Sequence, residues 1–173
     1  MPNANFNYRT PDPGDALKVS VLLKTAYIQS YALDGVSTEF ANFITDRFSP
    51  SNIERLIIEK PLRLVGAYID QNPIAMAEIN YTGHCRLRNI AAPELSKLYV
   101  LDRFHGTGVA QKILGDVESA VKAEGHTEIW LEVWKENPRA ISFYKKHNFE
   151  IIGEVDFPME ENTYQNYVMN KAL

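Results

Sequence analysis

A short loop with two glycines lies between a strand-like run and a helix-like run in the middle of the chain, and it constrains the fold most strongly. The apolar run Leu95–Val100 leads into the loop, and the helical pattern Val109–Lys122 follows it. Gly106 and Gly108 stand on either side of a single residue within it. Such a turn exposes backbone N–H groups at the start of a helix, where the helix dipole favours an anion. The loop therefore predicts a phosphate-binding turn, although a simple tight connection between strand and helix has the same pattern.

Two common nucleotide-binding loops do not fit this segment. A P-loop requires lysine and then serine or threonine after its last glycine, whereas Val109 and Ala110 follow Gly108 here. A dinucleotide-binding turn has a third glycine or an alanine three residues after its second glycine, and this chain has Gln111 at that position. The loop therefore points to a phosphorylated ligand of another kind.

Three helices are predicted in the first part of the chain. Proline after a capping residue indicates helix starts at Asp12-Pro13 and Ser49-Pro50, and Ser37 is suited to cap a helix between them. The predicted helices end, in chain order, near Tyr31, Phe48 and Lys60-Pro61.

The remaining chain alternates strands with two further helices. Apolar periodicity predicts helices at Gly108–Glu124, which Gly125 ends, and at Pro138–His147, with Asn148 as a left-handed cap. The polar segment Thr82–Pro93 is predicted to be a loop. β-rich runs predict strands at Phe6–Arg9, Leu62–Asp70, Ile74–Tyr81, Glu94–Val100, Glu128–Trp134, Phe149–Phe157 and Tyr164–Asn170.

These elements predict one mixed sheet. The strand–helix–strand unit over residues 94–134 implies a right-handed crossover between parallel strands, and the flanking hairpins imply antiparallel edges. The fold class is therefore α/β of the α+β type, with a mixed, mostly antiparallel seven-stranded sheet, helices on both faces and a parallel pair beside the glycine loop. We expect residues 1–173 to form a single domain, because a chain of this length can bury a sizeable core.

Composition narrows the function classes. The net charge of −4 argues against a general nucleic-acid surface, which is usually strongly basic. No run reaches the ~18 apolar residues of a membrane span, and Met1–Arg9 lacks the features of a signal peptide. The single cysteine, Cys85, fits a reducing compartment, and no residues near His84-Cys85 have metal-ligand spacing. We therefore expect a cytoplasmic protein with no nucleic-acid or membrane partner and no metal.

Two motifs in the same order resemble the coenzyme A site of the GNAT N-acetyltransferase superfamily. Arg103-x-x-Gly106-x-Gly108, followed by Val109-Ala110, is similar to the family's pyrophosphate loop. The segment Leu131–Phe149 is similar to the family's strand, Asn-x-x-Ala and Phe-Tyr-x-x-x-Gly-Phe segment, with Asn148 where glycine is usual. The resemblance covers Leu62–Leu173 well and the N-terminal helices loosely. It implies the acyl-CoA N-acyltransferase fold and acetyl-CoA as co-substrate.

The resemblance also implies which residues contact coenzyme A. Backbone N–H groups of the glycine loop would hold the pyrophosphate, and backbone groups of Leu98–Val100 would face the pantetheine arm and thioester, because this strand splays from its neighbour in the family. Asn137 resembles the asparagine that binds pantetheine, and it also fits a helix N-cap. Lys146 either meets a phosphate or lies in solvent. The implied contacts are Leu98, Tyr99, Val100, Arg103, His105, Gly106, Thr107, Gly108, Val109, Ala110, Gln111, Asn137 and Lys146.

Two residues are candidates for proton transfer. Tyr144 matches the tyrosine that often protonates the departing thiolate, and a phenol, with an ordinary pKa of ~10, keeps its proton at neutral pH. Glu94 matches the strand glutamate that serves as base in several members of the family. Glu78 and Glu132 are rival bases, and a water relay is an alternative to all three. A packing role like that of Phe143 is the alternative for Tyr144, and a structural role at the strand end is the alternative for Glu94.

The implied reaction is direct transfer of an acetyl group from acetyl-CoA to a primary amine in a ternary complex. Cys85 falls in the predicted loop, so we expect no acetyl-cysteine intermediate. The layout looks most like the bacterial spermine/spermidine and small-amine acetyltransferase group, and a homodimer is possible because dimers are common in the family. The alternatives are peptide or protein N-acetylation and a non-catalytic acyl-CoA-binding regulatory module.

Overall fold

The computed structural model describes residues 5–59, 62–88 and 90–173. The helices are α1 (Ala16–Tyr31), α2 (Thr38–Arg47), α3 (Pro50–Ile58), α4 (Val109–Ala123) and α5 (Pro138–Lys146). The strands are β1 (Asn7–Arg9), β2 (Leu62–Ile69), β3 (Asn72–Asn80), β4 (His84–Cys85), β5 (Ile90–Ala91), β6 (Glu94–Val100), β7 (Glu128–Trp134), β8 (Glu150–Pro158) and β9 (Thr163–Ala172). Seven strands form a sheet in the order β1-β2-β3-β6-β7-β9-β8, and β4 pairs with β5. The mixed sheet predicted from the sequence is thus confirmed.

The predicted helix ends are largely confirmed because capping side chains and left-handed residues set them. The Ser37 hydroxyl accepts the Phe40 N–H at 3.2 Å, and Ser49 accepts the Asn52 N–H at 3.4 Å. Asn148 has φ 66°, as expected of a left-handed cap. The first helix begins later than predicted, because a 3-10 turn at Pro13–Asp15 precedes α1. The predicted end of the third helix at Lys60-Pro61 lies outside the described residues.

The prediction that Thr82–Pro93 is a loop is wrong, because the segment contains the β4–β5 pair. His84 pairs with Ala91 in an antiparallel register. The reason is tertiary: Cys85, which is 1% exposed, packs with Ala92 against Trp130 and Val168. A short segment that packs on a sheet in this way has no periodicity of its own for the sequence to display.

The described chain divides into two compact units. The first unit runs to Ile79 and resumes over Lys97–Val117. Helices α1–α3 cover one face of its strands, where Leu64, Tyr68 and Met76 join the core. Helix α4 lies on the other face, because the ammonium of Lys112 sits 5.1 Å from the ring centre of Tyr8, which points to the side opposite Tyr68.

The second unit comprises Asn80–Ser96 and Glu118–Leu173. Its central strand β7 pairs with β9 in antiparallel register from Glu128↔Ala172 to Trp134↔Asn166. On one face, Lys171 Nζ of β9 donates to Glu118 Oε1 of α4 at 2.6 Å. Cys85 and Ala92 pack on the other face, where the Trp130 indole N–H donates to the Ala92 carbonyl at 2.9 Å.

The buried carboxylate of Asp15 ties β1 to the start of α1 within the first unit. Asp15 accepts hydrogen bonds from Arg9 Nη1 at 2.6 Å, from Lys18 Nζ at 2.9 Å and from the Asp12 N–H at 3.2 Å. Burial alone raises the pKa of Asp15, but the bonds from Arg9, Lys18 and Asp12 outweigh burial and hold the pKa well below its usual range. The ionised form of Asp15 therefore stabilises the folded state.

Replacing Asp15 with asparagine is expected to lower the free energy of unfolding at pH 7 by roughly 2 kcal/mol. Because the folded pKa lies below the unfolded one, this contribution is complete above the unfolded value of ~4 and is lost as the pH falls through the folded value. Urea denaturation at pH 7 and at pH 3 measures the difference, which must narrow at pH 3. Asp34→Asn, at an exposed site, is the control. Equal losses at both pH values would contradict the assignment.

Candidate active site

The glycine loop has the geometry of an anion-binding turn. Gly106 and Gly108 have φ of 76° and 86°, a left-handed conformation that side chains rarely adopt. Among the described residues, a Cβ placed on either glycine meets no heavy atom within 4 Å, so the space over the loop is open. The first helical hydrogen bond of α4 runs from the Lys112 N–H to the Gly108 carbonyl at 3.0 Å. The N–H groups of residues 109–111 precede that bond and are therefore available to a ligand by helix geometry.

Side chains of the loop hold its own backbone. Thr107 Oγ1 donates to the Phe104 carbonyl at 2.7 Å. The ring nitrogens of His105 lie 3.0 Å from the Val100 carbonyl and 3.3 Å from Asp102 Oδ1. His105 therefore ties the loop to the end of β6, a contact that the sequence does not indicate.

The other predicted loop residues differ in their exposure. Arg103 and Gln111 are exposed, so both side chains are accessible to a charged ligand. Val109 is buried and begins the apolar face of α4, whereas Ala110 is half-buried. Val109 thus anchors the helix, and only its backbone N–H belongs to the candidate anion site.

The end of β6 departs from simple strand alternation. Leu95 and Lys97 are buried and Ser96 is half-buried, as alternation requires. Beyond them, Leu98 and Tyr99 are both half-buried. These two neighbours lead directly into the glycine loop, and their backbone belongs to the part of β6 that the family resemblance expects to face the thioester.

Helix α5 carries three of the predicted site residues. Asn137 is the N-cap of α5, because its side-chain oxygen accepts the Ala140 N–H at 3.1 Å. Asn137 therefore caps the helix, which is one of the two roles predicted for it, and the cap uses the oxygen of its side-chain amide rather than the nitrogen. Tyr144 is 8% exposed and its ring makes edge contacts with Phe143 and Phe149. Lys146, near the end of the helix, is exposed.

The three candidate carboxylates lie in different surroundings. Glu94 is half-buried at the start of β6, where it pairs in parallel with Trp130 of β7. Glu78 is buried and accepts a hydrogen bond from Lys97 at 2.6 Å. Glu132 is bound by Arg86 at 3.1 Å, which links it to the segment 82–93.

Lys97 has no role predicted from the sequence, yet the structure buries it against Glu78. Its position gave one signal: it alternates with Leu95 and Tyr99 on the inward side of a strand, where a lysine is unusual. No group of three or more histidine, cysteine or acidic residues suited to a metal occurs in the described part of the chain. The same residues include no helix long and apolar enough to cross a membrane.

Comparison with known proteins identifies relatives of this chain. Residues 28–149 match the acetyltransferase (GNAT) family. Uncharacterized N-acetyltransferases of Mycobacterium bovis and Mycobacterium tuberculosis are 39% identical over 80 residues, which cover 46% of this chain and 51% of each relative. The matched segment thus spans about half the length of these curated relatives.

Two solved structures share the fold across nearly the whole chain. The PaiA N-acetyltransferase of Thermoplasma acidophilum, solved in complex with coenzyme A, has a TM-score of 0.79 at 19% identity and covers 98% of this chain and 99% of its own. A GCN5-related N-acetyltransferase of Rhodopseudomonas palustris has a TM-score of 0.77 at 16% identity, and the match covers 100% of this chain and 99% of that protein. The predicted acyl-CoA N-acyltransferase fold is confirmed.

Proposed function

Because this chain belongs to the acetyltransferase (GNAT) family, we propose that it transfers the acetyl group of acetyl-CoA to a primary amine by direct attack in a ternary complex. The observation that carries the proposal is the left-handed pair Gly106 and Gly108 at the start of α4. Open space over the loop and the N–H groups at the helix start fit a pyrophosphate. We also propose that residues 1–173 act as one catalytic domain.

Backbone and side-chain groups of the chain supply the remaining contacts with acetyl-CoA. Backbone groups of Leu98–Val100 hold the pantetheine arm and the thioester carbonyl, and their N–H groups stabilise the negative charge that develops on that oxygen. The Asn137 amide nitrogen donates to pantetheine, since its oxygen is occupied by the helix cap. Arg103 and Lys146 are exposed cations for the phosphates of coenzyme A.

Two side chains move protons in the proposed reaction. Glu94 takes a proton from the ammonium form of the acceptor, directly or through a water, and the neutral amine then attacks the thioester carbon. The attack forms the C–N bond, and as the C–S bond breaks Tyr144 donates its phenol proton to the departing thiolate. The acylated nitrogen then releases its excess proton to the Tyr144 phenolate, directly or through a water, which restores the phenol. Glu94 is favoured over its rivals because it lies on β6, the strand that carries Leu98–Val100, whereas Glu78 and Glu132 lie on the strands to either side.

We propose a small amine, including a polyamine, as the acceptor. The expected result with acetyl-CoA and a panel of amines is thiol release well above hydrolysis for at least one small amine. The panel includes spermidine, spermine, monoamines, amino acids and a lysine-containing peptide, and mass spectrometry confirms the acetylated product. Turnover with the peptide alone would contradict the small-amine assignment. Acetyl-CoA binding without turnover for any amine would instead indicate a non-catalytic module.

A further inference from the structure

An ion pair is buried between two neighbouring strands of the first unit. Lys97 Nζ of β6 lies 2.6 Å from Glu78 Oε1 of β3, and each side chain is 6% exposed. Removing two charges from water is costly, and apolar residues of similar size often replace such a pair without loss of stability. Stability is therefore a weak explanation for this pair, and a role at the adjacent site is a stronger one.

The pair lies where β6 enters the segment assigned to the thioester. Lys97 directly precedes Leu98–Val100, and after them the Leu101 N–H donates to the Ile74 carbonyl of β3 at 3.0 Å. Lys97 is paired with Glu78 and the later residue Leu101 with the earlier residue Ile74, so the two segments run antiparallel. The segment 98–100 is thus tied to β3 at both ends, by the ion pair at its start and by a backbone hydrogen bond after its end.

We propose that Lys97 and Glu78 are positioning residues for acetyl transfer, which fix the backbone of Leu98–Val100 against β3. The inference rests on the proposed function, because it concerns the strand that binds the thioester. The side chains act through the strand: a buried charge-assisted hydrogen bond has one favoured length and direction, whereas two apolar side chains fill space without fixing register. Small displacements of groups that contact the reacting atoms lower the rate strongly.

The decisive variant replaces both charges, as Glu78→Met with Lys97→Met. Since two unbranched apolar side chains of similar length fill the site, we expect a cooperative thermal transition within a few degrees of the wild type. The expected kinetic result is a kcat at least ~10-fold lower, with the KM for acetyl-CoA changed less than ~3-fold, because the strand position fixed by the ion pair matters mainly in the transition state. A kcat equal to that of the wild type would overturn the proposal.

A matched control removes a second, partly buried ion pair of the same unit, as Arg9→Met with Asp15→Met. This variant is expected to melt at a lower temperature than the wild type. At assay temperatures below its own melting temperature it should have the wild-type kcat, which separates a loss of stability from a loss of positioning. If both double variants lose kcat equally, the effect is one of folding and the proposal fails.

Lys97→Arg provides a second test that does not depend on how the apolar variant folds. It keeps the charge pair but changes its length and hydrogen-bond geometry. Positioning predicts a lower kcat with little change in melting temperature, whereas an unchanged kcat contradicts it. If the wild type acetylates no amine, the proposed function fails and this inference fails with it. If the wild type is active and the variants have the same kcat, this inference alone fails.

Discussion

Replacing both Gly106 and Gly108 with alanine is expected to raise the KM for acetyl-CoA roughly 30- to 100-fold. Each glycine has a positive φ, and a left-handed conformation costs an L-residue about 1–2 kcal/mol. The alanines are expected to relax the loop to negative φ, so that its N–H groups no longer converge on one anion. Steady-state kinetics with varied acetyl-CoA, together with calorimetric titration of coenzyme A, measure the effect.

The control for this variant is Gly115→Ala in the interior of the same helix, α4. A Cβ on Gly115 meets no heavy atom within 4 Å among the described residues, and alanine favours helix. We expect a small gain in stability and an unchanged KM. A double loop variant with wild-type affinity for coenzyme A would mean that the loop is only a connection between strand and helix.

Tyr144→Phe is expected to lower kcat by about 100-fold, the middle of the range for loss of a general acid. The KM for acetyl-CoA and the melting temperature should change little, because phenylalanine keeps the ring contacts with Phe143 and Phe149. The substitution removes the hydroxyl group that donates the proton, so the loss should fall on the step in which the C–S bond breaks. Substrates with a less basic thiolate leaving group should recover part of the rate.

Tyr8→Phe is the matched control, since it removes a phenol hydroxyl from β1 and leaves the ring beneath Lys112. Its kcat should equal that of the wild type. If Tyr144→Phe also retains full turnover, another group protonates the thiolate and Tyr144 serves only to pack α5.

Features set by neighbouring residues could be predicted from the sequence. Ser37 and Ser49 cap helices because a side-chain oxygen three residues before a free N–H reaches it without help from the rest of the fold. Asn148 and Gly108 adopt positive φ where the chain must leave or enter a helix. The family motifs are also local, so they predict the glycine loop and the start of α5 where the structure has them.

Features set by strand pairing could not be predicted in the same way. Glu78 and Lys97 meet because β6 pairs with β3, past the intervening β4–β5 pair, and neither residue has a local signal of that register. The segment 82–93 likewise forms strands because Cys85 packs against Trp130. The sequence leaves Asn137 open between two roles, because it does not show that the side-chain oxygen accepts the Ala140 N–H at the start of α5.

The buried position of Cys85 gives this protein an internal reporter. It is the chain's one cysteine, and at 1% exposure it is shielded from thiol reagents in the native state. A chromogenic disulfide that detects released coenzyme A should therefore read turnover without a rapid contribution from the enzyme. On a slower time scale, the labelling rate of Cys85 measures how often its packing against Trp130 opens.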